Sequence, residues 1–262
     1  MSRFLPFLAL AALLATGCAS VTDPTRDWTA ERFYQEARAK MEEGNWPEAI
    51  RLYEQLEARY PYGRYSEQAQ LELAYVHYKD QEPELAIAAA DRFIRMHPTH
   101  PHVDYAYYLK GIVHFRGEKS LIHTLFGFDQ AMWDRDPRSA RESYNAFREL
   151  VERFPQSRYA ADARDRMRYL LDVQARYEVS VARFYFDRGA YVAAVNRCKY
   201  ALENYPRTPA VEDALGIQAK AYRLMGLPEL AADTVRVLRM NFPESRYLKE
   251  IEALEAEARA SS

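Results

Sequence analysis

Only two cysteines, Cys18 and Cys198, occur in the 262 residues, and nine glycines stand against 20 tyrosines. So few thiols exclude a disulfide-stapled fold, and stability has to come from packing. Scarce glycine with abundant Ala, Glu, Arg and Leu points to helices, and the tyrosines to amphipathic aromatic faces. A basic excess is also missing. The net charge of −2 argues against nucleic acid as a partner. No apolar run reaches the roughly 20 residues of a membrane-spanning helix. The chain has no G-x-S-x-G, no Cys–His nucleophile signature and no phosphate-binding glycine loop, so no catalytic or cofactor-binding residue is assigned. HPTHPH holds His97, His100 and His102, but two prolines space the imidazoles irregularly and no Cys or clustered carboxylate completes a tetrahedral set. No metal site is expected there.

What is present begins at the amino end. Arg3 precedes an uncharged apolar run from Phe4 to Ala15, then Ala15, Thr16, Gly17 and Cys18. A charged start, a short apolar core and small residues form a secretory signal. LLATGCAS resembles the bacterial lipobox, with Leu14 one place before the usual leucine position. The resemblance implies cleavage after Gly17, diacylglycerol on the Cys18 thiol and acylation (palmitate) of the new amino group. Several acyl chains anchor firmly where one is marginal. Ala19 after the cysteine, rather than Asp, implies the outer membrane by similarity to Gram-negative lipoproteins. Residues 1–17 are thus the signal peptide and 18–28 a lipidated tether.

The interior repeats itself. RYPYGRYSEQA, RMHPTHPHVDYA, RFPQSRYAADA, NYPRTPAVEDA and NFPESRYLKEI share one phrase, with prolines at 61, 98, 155, 206 and 243. Their spacings are 37, 57, 51 and 37 residues. A second phrase sets Gly five residues before Ala, in GNWPEA, GAYVAA and GLPELA, and Gln81 takes the glycine's place before Ala86. Small residues recur at Ala37, Ala74, Gly111, Ala182 and Ala219, and twelve residues after four of these at Ala49, Ala86, Ala194 and Ala231. Small residues let antiparallel helices approach closely, and a larger one four places on fills the groove beside them. Cys198 holds such a place and reads as core. Periodicity on this scale means a solenoid. The expected fold is all-α: a right-handed superhelix of about five tetratricopeptide-like helix–turn–helix repeats.

The irregular spacings carry information. The third unit has 20 residues more than 37, assigned to an insertion at 117–136 between a helix at 104–115 and one at 137–153. Its Leu121, Ile122, Leu125, Phe126, Phe128 and Trp133 suit either a partner-binding lip or a cover folded over neighbouring repeats. The fourth unit has 14 more, close to four helical turns, in a run without a breaker from Arg158 to Gly189. One helix of about 30 residues, with Tyr159, Ala163, Met167, Leu170, Tyr177, Val181 and Tyr185 along its apolar face and Gln174 an exception on it, is the simplest reading. It joins a three-repeat group at 29–156 to a C-terminal group at 157–262, made of the linking helix, two repeats and a terminal helix.

With its lipobox, five repeats, WDRDP at the end of the insertion, the long helix and GAYVAAVNR, the chain resembles the BamD (YfiO, ComL) family of lipoproteins. The likeness runs over essentially the whole mature chain. It implies no enzymatic activity and a role in assembling outer-membrane β-barrel proteins. The implied partners are a central barrel subunit with periplasmic domains, other assembly lipoproteins and unfolded barrel precursors, whose aromatic-rich C-terminal signals the N-terminal half receives. The implied location is the periplasmic face of the outer membrane, lipid-anchored. A helical-repeat adaptor for peptidoglycan enzymes or proteases would share the anchor and fold.

Aromatic ligand tails suit aromatic clefts, and Tyr60, Tyr62, Tyr65, Tyr75, Tyr78, Tyr105, Tyr107 and Tyr108 enrich the first units. At helical spacing most of them read as packing between repeats. Tyr62, Gly63, Arg64 and Tyr65 stand apart as a loop, where binding residues concentrate, and are the assigned peptide site. Arg64, Arg92 and Lys110 are the cations suited to a terminal carboxylate. For docking, the resemblance points to Asn196 and Arg197 of VNR. The competing reading of Arg197 is a solvated helix charge paired with a residue such as Glu203.

Overall fold

The structure, a computed structural model, describes residues 24–116 and 137–260. The signal segment, Cys18 and the 117–136 insertion lie outside the described residues. Every regular element described is a helix: α1 (Ala30–Glu42), α2 (Trp46–Arg59), α3 (Arg64–Lys79), α4 (Pro83–Met96), α5 (Val103–Arg116), α6 (Pro137–Arg153), α7 (Ala160–Asp187), α8 (Tyr191–Asn204), α9 (Ala210–Leu224), α10 (Pro228–Asn241) and α11 (Arg246–Ala260). Among the described residues no helix is long and apolar enough to cross a membrane. The chain divides into two compact units at Ala69/Gln70, inside α3.

In the first unit, α1 and α2 form a hairpin closed by Gly44, whose φ of 75° is cheap only for glycine. The Thr29 hydroxyl caps α1 by accepting the Arg32 N–H at 3.2 Å. Pro47 sits in the first turn of α2, where its missing N–H costs nothing. Ala37 and Ala49 are both fully buried, so the two backbones close on each other while Leu52, Tyr53 and Leu56 fill the space beside them. The segment entering α1 is fastened by its own residues. Trp28 meets Phe33 edge-on at 5.1 Å, Tyr60 donates to the Trp28 carbonyl at 2.7 Å, and Arg59 donates to the Thr25 carbonyl.

The second unit repeats that hairpin logic. Ala74 and Ala86, Ala182 and Ala194, and Ala219 and Ala231 are all buried. In the third repeat the partner of Gly111 is Ser143, which is where a twelve-residue spacing falls once 20 inserted residues are added. A Cβ on Gly111 would stand 2.4 Å from the fully buried Phe147 ring, and the Ser143 hydroxyl donates to the Gly111 carbonyl at 2.9 Å. Gly216 plays a similar part under Tyr247, whose ring lies 2.1 Å from where a Cβ would be. Thus α11 lays its first aromatic directly on the backbone of α9. The sequence reading did not single out this glycine.

Helix α7 is the expected long connector, with 28 residues. It contributes to two cores in turn. Ala163 and Leu170 belong to the cluster built by α3 to α6, and from Ala175 onward the helix packs with α8, α9 and α11. Its buried face departs from the expected stripe in the second half. Tyr177, Val181 and Tyr185 are only half-buried, and the interior positions are Gln174, Ala175, Glu178, Val179 and Ala182. From Gln174 the stripe advances in steps of four rather than three. That drift brings small Ala182 under α8, which closes against the helix there, and carries two polar residues inside.

Candidate functional site

The loop at 60–63, with Arg64 and Tyr65 opening α3 rather than lying in the loop, follows from its residues. Tyr60 ends α2 and is held by the Trp28 carbonyl, Pro61 prevents the helix from continuing, and Gly63 takes φ 103°. The space around Gly63 is open, so the backbone angle alone demands glycine. Its carbonyl then accepts the Ser66 and Glu67 N–H groups and starts α3 at Arg64. Tyr62 is left with 91% of its surface in solvent. Arg64 lies across the Tyr65 ring at 4.6 Å and donates to the Tyr65 hydroxyl at 2.7 Å, and Tyr65 rests against Tyr34 at 5.6 Å. The loop therefore presents a free aromatic next to a guanidinium braced on a second aromatic. Such a pair can take an apolar side chain and a carboxylate together.

The other tyrosines of the N-terminal repeats are packed. Tyr107 is buried against Phe154 at 5.6 Å, and Tyr108 stacks on Tyr159 at 4.6 Å with an 18° tilt. Burial, with the Asp162 carboxylate accepting its proton at 2.8 Å, pushes the Tyr108 hydroxyl up to about 12. Tyr105 meets Tyr159 at 5.5 Å, and burial raises its hydroxyl as well. Tyr75 and Tyr78 pack half-buried against the same cluster. Lys110 is engaged by Asp91 at 2.6 Å with its side chain only 19% exposed, while Arg92 lies exposed on α4.

On α8, Asn196 and Arg197 are both exposed. Arg197 does not pair with Glu203. Its Nη1 donates at 3.0 Å to Glu178 of α7, a side chain only 10% exposed, while the arginine keeps 45% of its own surface in solvent. The carboxylate comes from the element packed behind α8, so the guanidinium is held from beneath with its outer edge free. Glu178 is the residue sequence reasoning missed. Its only signal in the sequence is its place four after Gln174, one helical turn along α7.

The remaining candidates resolve simply. His97 bonds Gln70 at 2.8 Å and packs its ring near Phe93 at 5.1 Å, and among the described residues no group of three or more His, Cys, Asp or Glu side chains is placed to hold a metal. Cys198 is fully buried, and burial pushes its thiol up to about 12, which leaves it unreactive.

The family described as YfiO, outer membrane lipoprotein, matches residues 26–238. The "Outer membrane protein assembly factor BamD" of Neisseria meningitidis serogroup B is 49% identical over 226 residues, covering 86% of this chain and 84% of that protein. The protein of the same description from Vibrio cholerae is 38% identical over 232 residues, covering 88% and 95%. That from Xylella fastidiosa (strain Temecula1) is 37% identical over 253 residues, covering 94% and 86%.

Proposed function

The chain belongs to the YfiO family of outer membrane lipoproteins, and from that premise we propose that it is a non-catalytic subunit of the machinery that assembles outer-membrane β-barrel proteins. The observation that carries this reading is the near full-length similarity to relatives described as outer membrane protein assembly factors. In this reading Cys18 carries the lipid that holds the repeats at the periplasmic face of the outer membrane. The central barrel subunit and other assembly lipoproteins are its standing partners, and unfolded barrel precursors its clients.

Two surfaces divide the work. Tyr62, Gly63, Arg64 and Tyr65 receive the C-terminal signal of a precursor: Tyr62 takes an aromatic side chain and Arg64, braced on Tyr65, the terminal carboxylate. Exposure of Tyr62 and the stacked Arg64 support this assignment. Asn196 and Arg197 dock a periplasmic domain of the central subunit. A guanidinium anchored from below by Glu178 supports that role, because pre-organised cations lose less entropy on pairing.

The test uses the lipidated chain and a photo-crosslinking peptide bearing a barrel precursor's C-terminal sequence. The Tyr62→Ala/Arg64→Ala double variant, with unchanged thermal unfolding, is expected to lose most crosslinking. Undiminished crosslinking would remove the peptide site. In parallel, Arg197→Glu is expected to abolish co-purification of the large barrel subunit from solubilised membranes, and normal recovery would remove the docking site.

A further inference from the structure

The C-terminal repeats hold a groove that neither assigned surface uses. It has a volume of about 1100 Å³ and lies between the second half of α7 and the start of α9. Arg176, Arg183 and Arg188 line it with Tyr177, Phe184 and Asp213. Phe184 is half exposed although it is a large apolar side chain, and the Arg188 guanidinium lies over its ring at 3.5 Å.

The charges there do not balance. Arg176 is matched by Asp172 at 2.9 Å. Asp213 instead serves two cations, since Arg183 at 3.6 Å and Arg246 at 3.0 Å converge on the same Oδ1. The Tyr247 hydroxyl donates to that oxygen at 2.6 Å. Burial, reinforced by this bond, raises the hydroxyl to about 12, so Tyr247 stays a neutral donor and adds no negative charge. Asp187 supplies the one further carboxylate in the lining, and among the described residues no carboxylate pairs with Arg188. Four guanidinia thus face three carboxylates. The N-terminus of α9, at Pro209 and Ala210 in the groove wall, adds the partial positive charge of a helix end.

We propose that this groove holds an extended polypeptide segment in which a carboxylate side chain neighbours an aromatic one, the carboxylate taken by Arg183 and Arg188 and the ring laid on Phe184 and Tyr177. Charge complementarity selects the carboxylate, and the exposed rings select its neighbour. Asp213 acts as the internal anion that holds Arg183 ready and competes with the incoming one.

That competition gives the test its sign. A fluorescein-labelled peptide, Gly-Asp-Phe-Asp-Phe-Gly, is titrated by anisotropy with the full mature chain in detergent, in a Tyr62→Ala/Arg64→Ala background that silences the other peptide site. Binding is expected to fall at least tenfold with Arg183→Gln and with Arg188→Gln, and to tighten severalfold with Asp213→Asn. Arg236→Gln, at an exposed α10 ion pair outside the groove lining, should leave it unchanged, and because the readout is peptide binding rather than recovery of the barrel subunit, failure here is separable from failure of the docking assignment. An Asn-for-Asp peptide should bind at least tenfold more weakly. The proposal is overturned if the amide peptide binds equally, if Arg188→Gln changes nothing, or if Asp213→Asn weakens binding in a folded protein. Should Arg183→Gln unfold, Arg188→Gln decides alone, because the Arg188 side chain bonds the Phe184 carbonyl and covers its ring and takes no part in the Asp213 network.

Discussion

At the four hairpin-closing turns among the described residues, one residue in each enters the left-handed region. Gly44, Gly189 and Gly226 do so at φ 75°, 74° and 71°, and Gln81 does so at 65°. Left-handed backbone brings a Cβ against the following carbonyl and costs roughly 1–2 kcal/mol for a non-glycine residue. Glycine avoids that cost but gives back about 0.5–1 kcal/mol through its freer unfolded chain. Gln81 is exposed, so nothing the side chain buries is lost on replacement. Gln81→Gly should therefore stabilise the protein by up to about 1 kcal/mol, read as a higher urea midpoint at unchanged slope. A lower midpoint would mean that the Gln81 side chain stabilises the turn by more than its backbone strain costs. The phrase that aligned Gln81 with the glycines was visible in the sequence. Its strained angle was not, because a glutamine, unlike a glycine, does not by itself mark a left-handed position.

At the scale of the helix, α7 marks where reading the sequence succeeds and where it stops. Its limits fall within two residues of those expected, because no breaker interrupts the run and the phases of both flanking repeats fix its ends. The first half of its buried stripe is as expected. The second half fails because the large apolar residues Tyr177, Val181 and Tyr185 look like core at that spacing, whereas packing against α8 demands the small Ala182 and tolerates Glu178 beside it. A buried carboxylate is costly unless it is paired, and its partner, Arg197, comes from the next helix. Pairing across a hairpin leaves no fixed sequence spacing, which is why Glu203 on the same helix was the natural but wrong candidate. Glu178→Gln keeps the shape and removes the charge. It should cost about 1 kcal/mol, the upper end of the range for solvent-screened pairs, because Arg197 is half solvated. The check is a double-mutant cycle with Arg197→Gln. If the Glu178→Gln cost is undiminished when Arg197 is already gone, the ion pair is not its source.

For the molecule as a whole, the ionisable groups that are displaced on folding predict how stability follows pH. His114 on α5 lies beside Glu142 at 3.3 Å, with Lys110 and Asp91 the other charges near it. Burial lowers its pKa below the ordinary 6.5; the Glu142 carboxylate opposes that shift, and burial prevails. In the window between its folded pKa and 6.5 the unfolded chain holds a proton that the folded chain refuses, so stability falls as pH falls through that window. Asp162 acts lower down. Its burial alone would raise its pKa, but the bonds from Arg166 and Tyr108 outweigh it and hold it below 3.8. The stability it contributes is present above 3.8 and disappears as acid reaches the depressed value. Both signs agree, so the protein should lose stability steadily on acidification, in two separable stages. Thermal unfolding at pH 7.5 and 5.5 isolates the first, since Asp162 is ionised at both. The midpoint should drop between them in the native chain, and His114→Gln, which cannot take up the proton, should make that drop smaller while leaving the later acid transition in place. A drop of the same size in the variant would assign the neutral-range sensitivity elsewhere and leave His114 as packing alone.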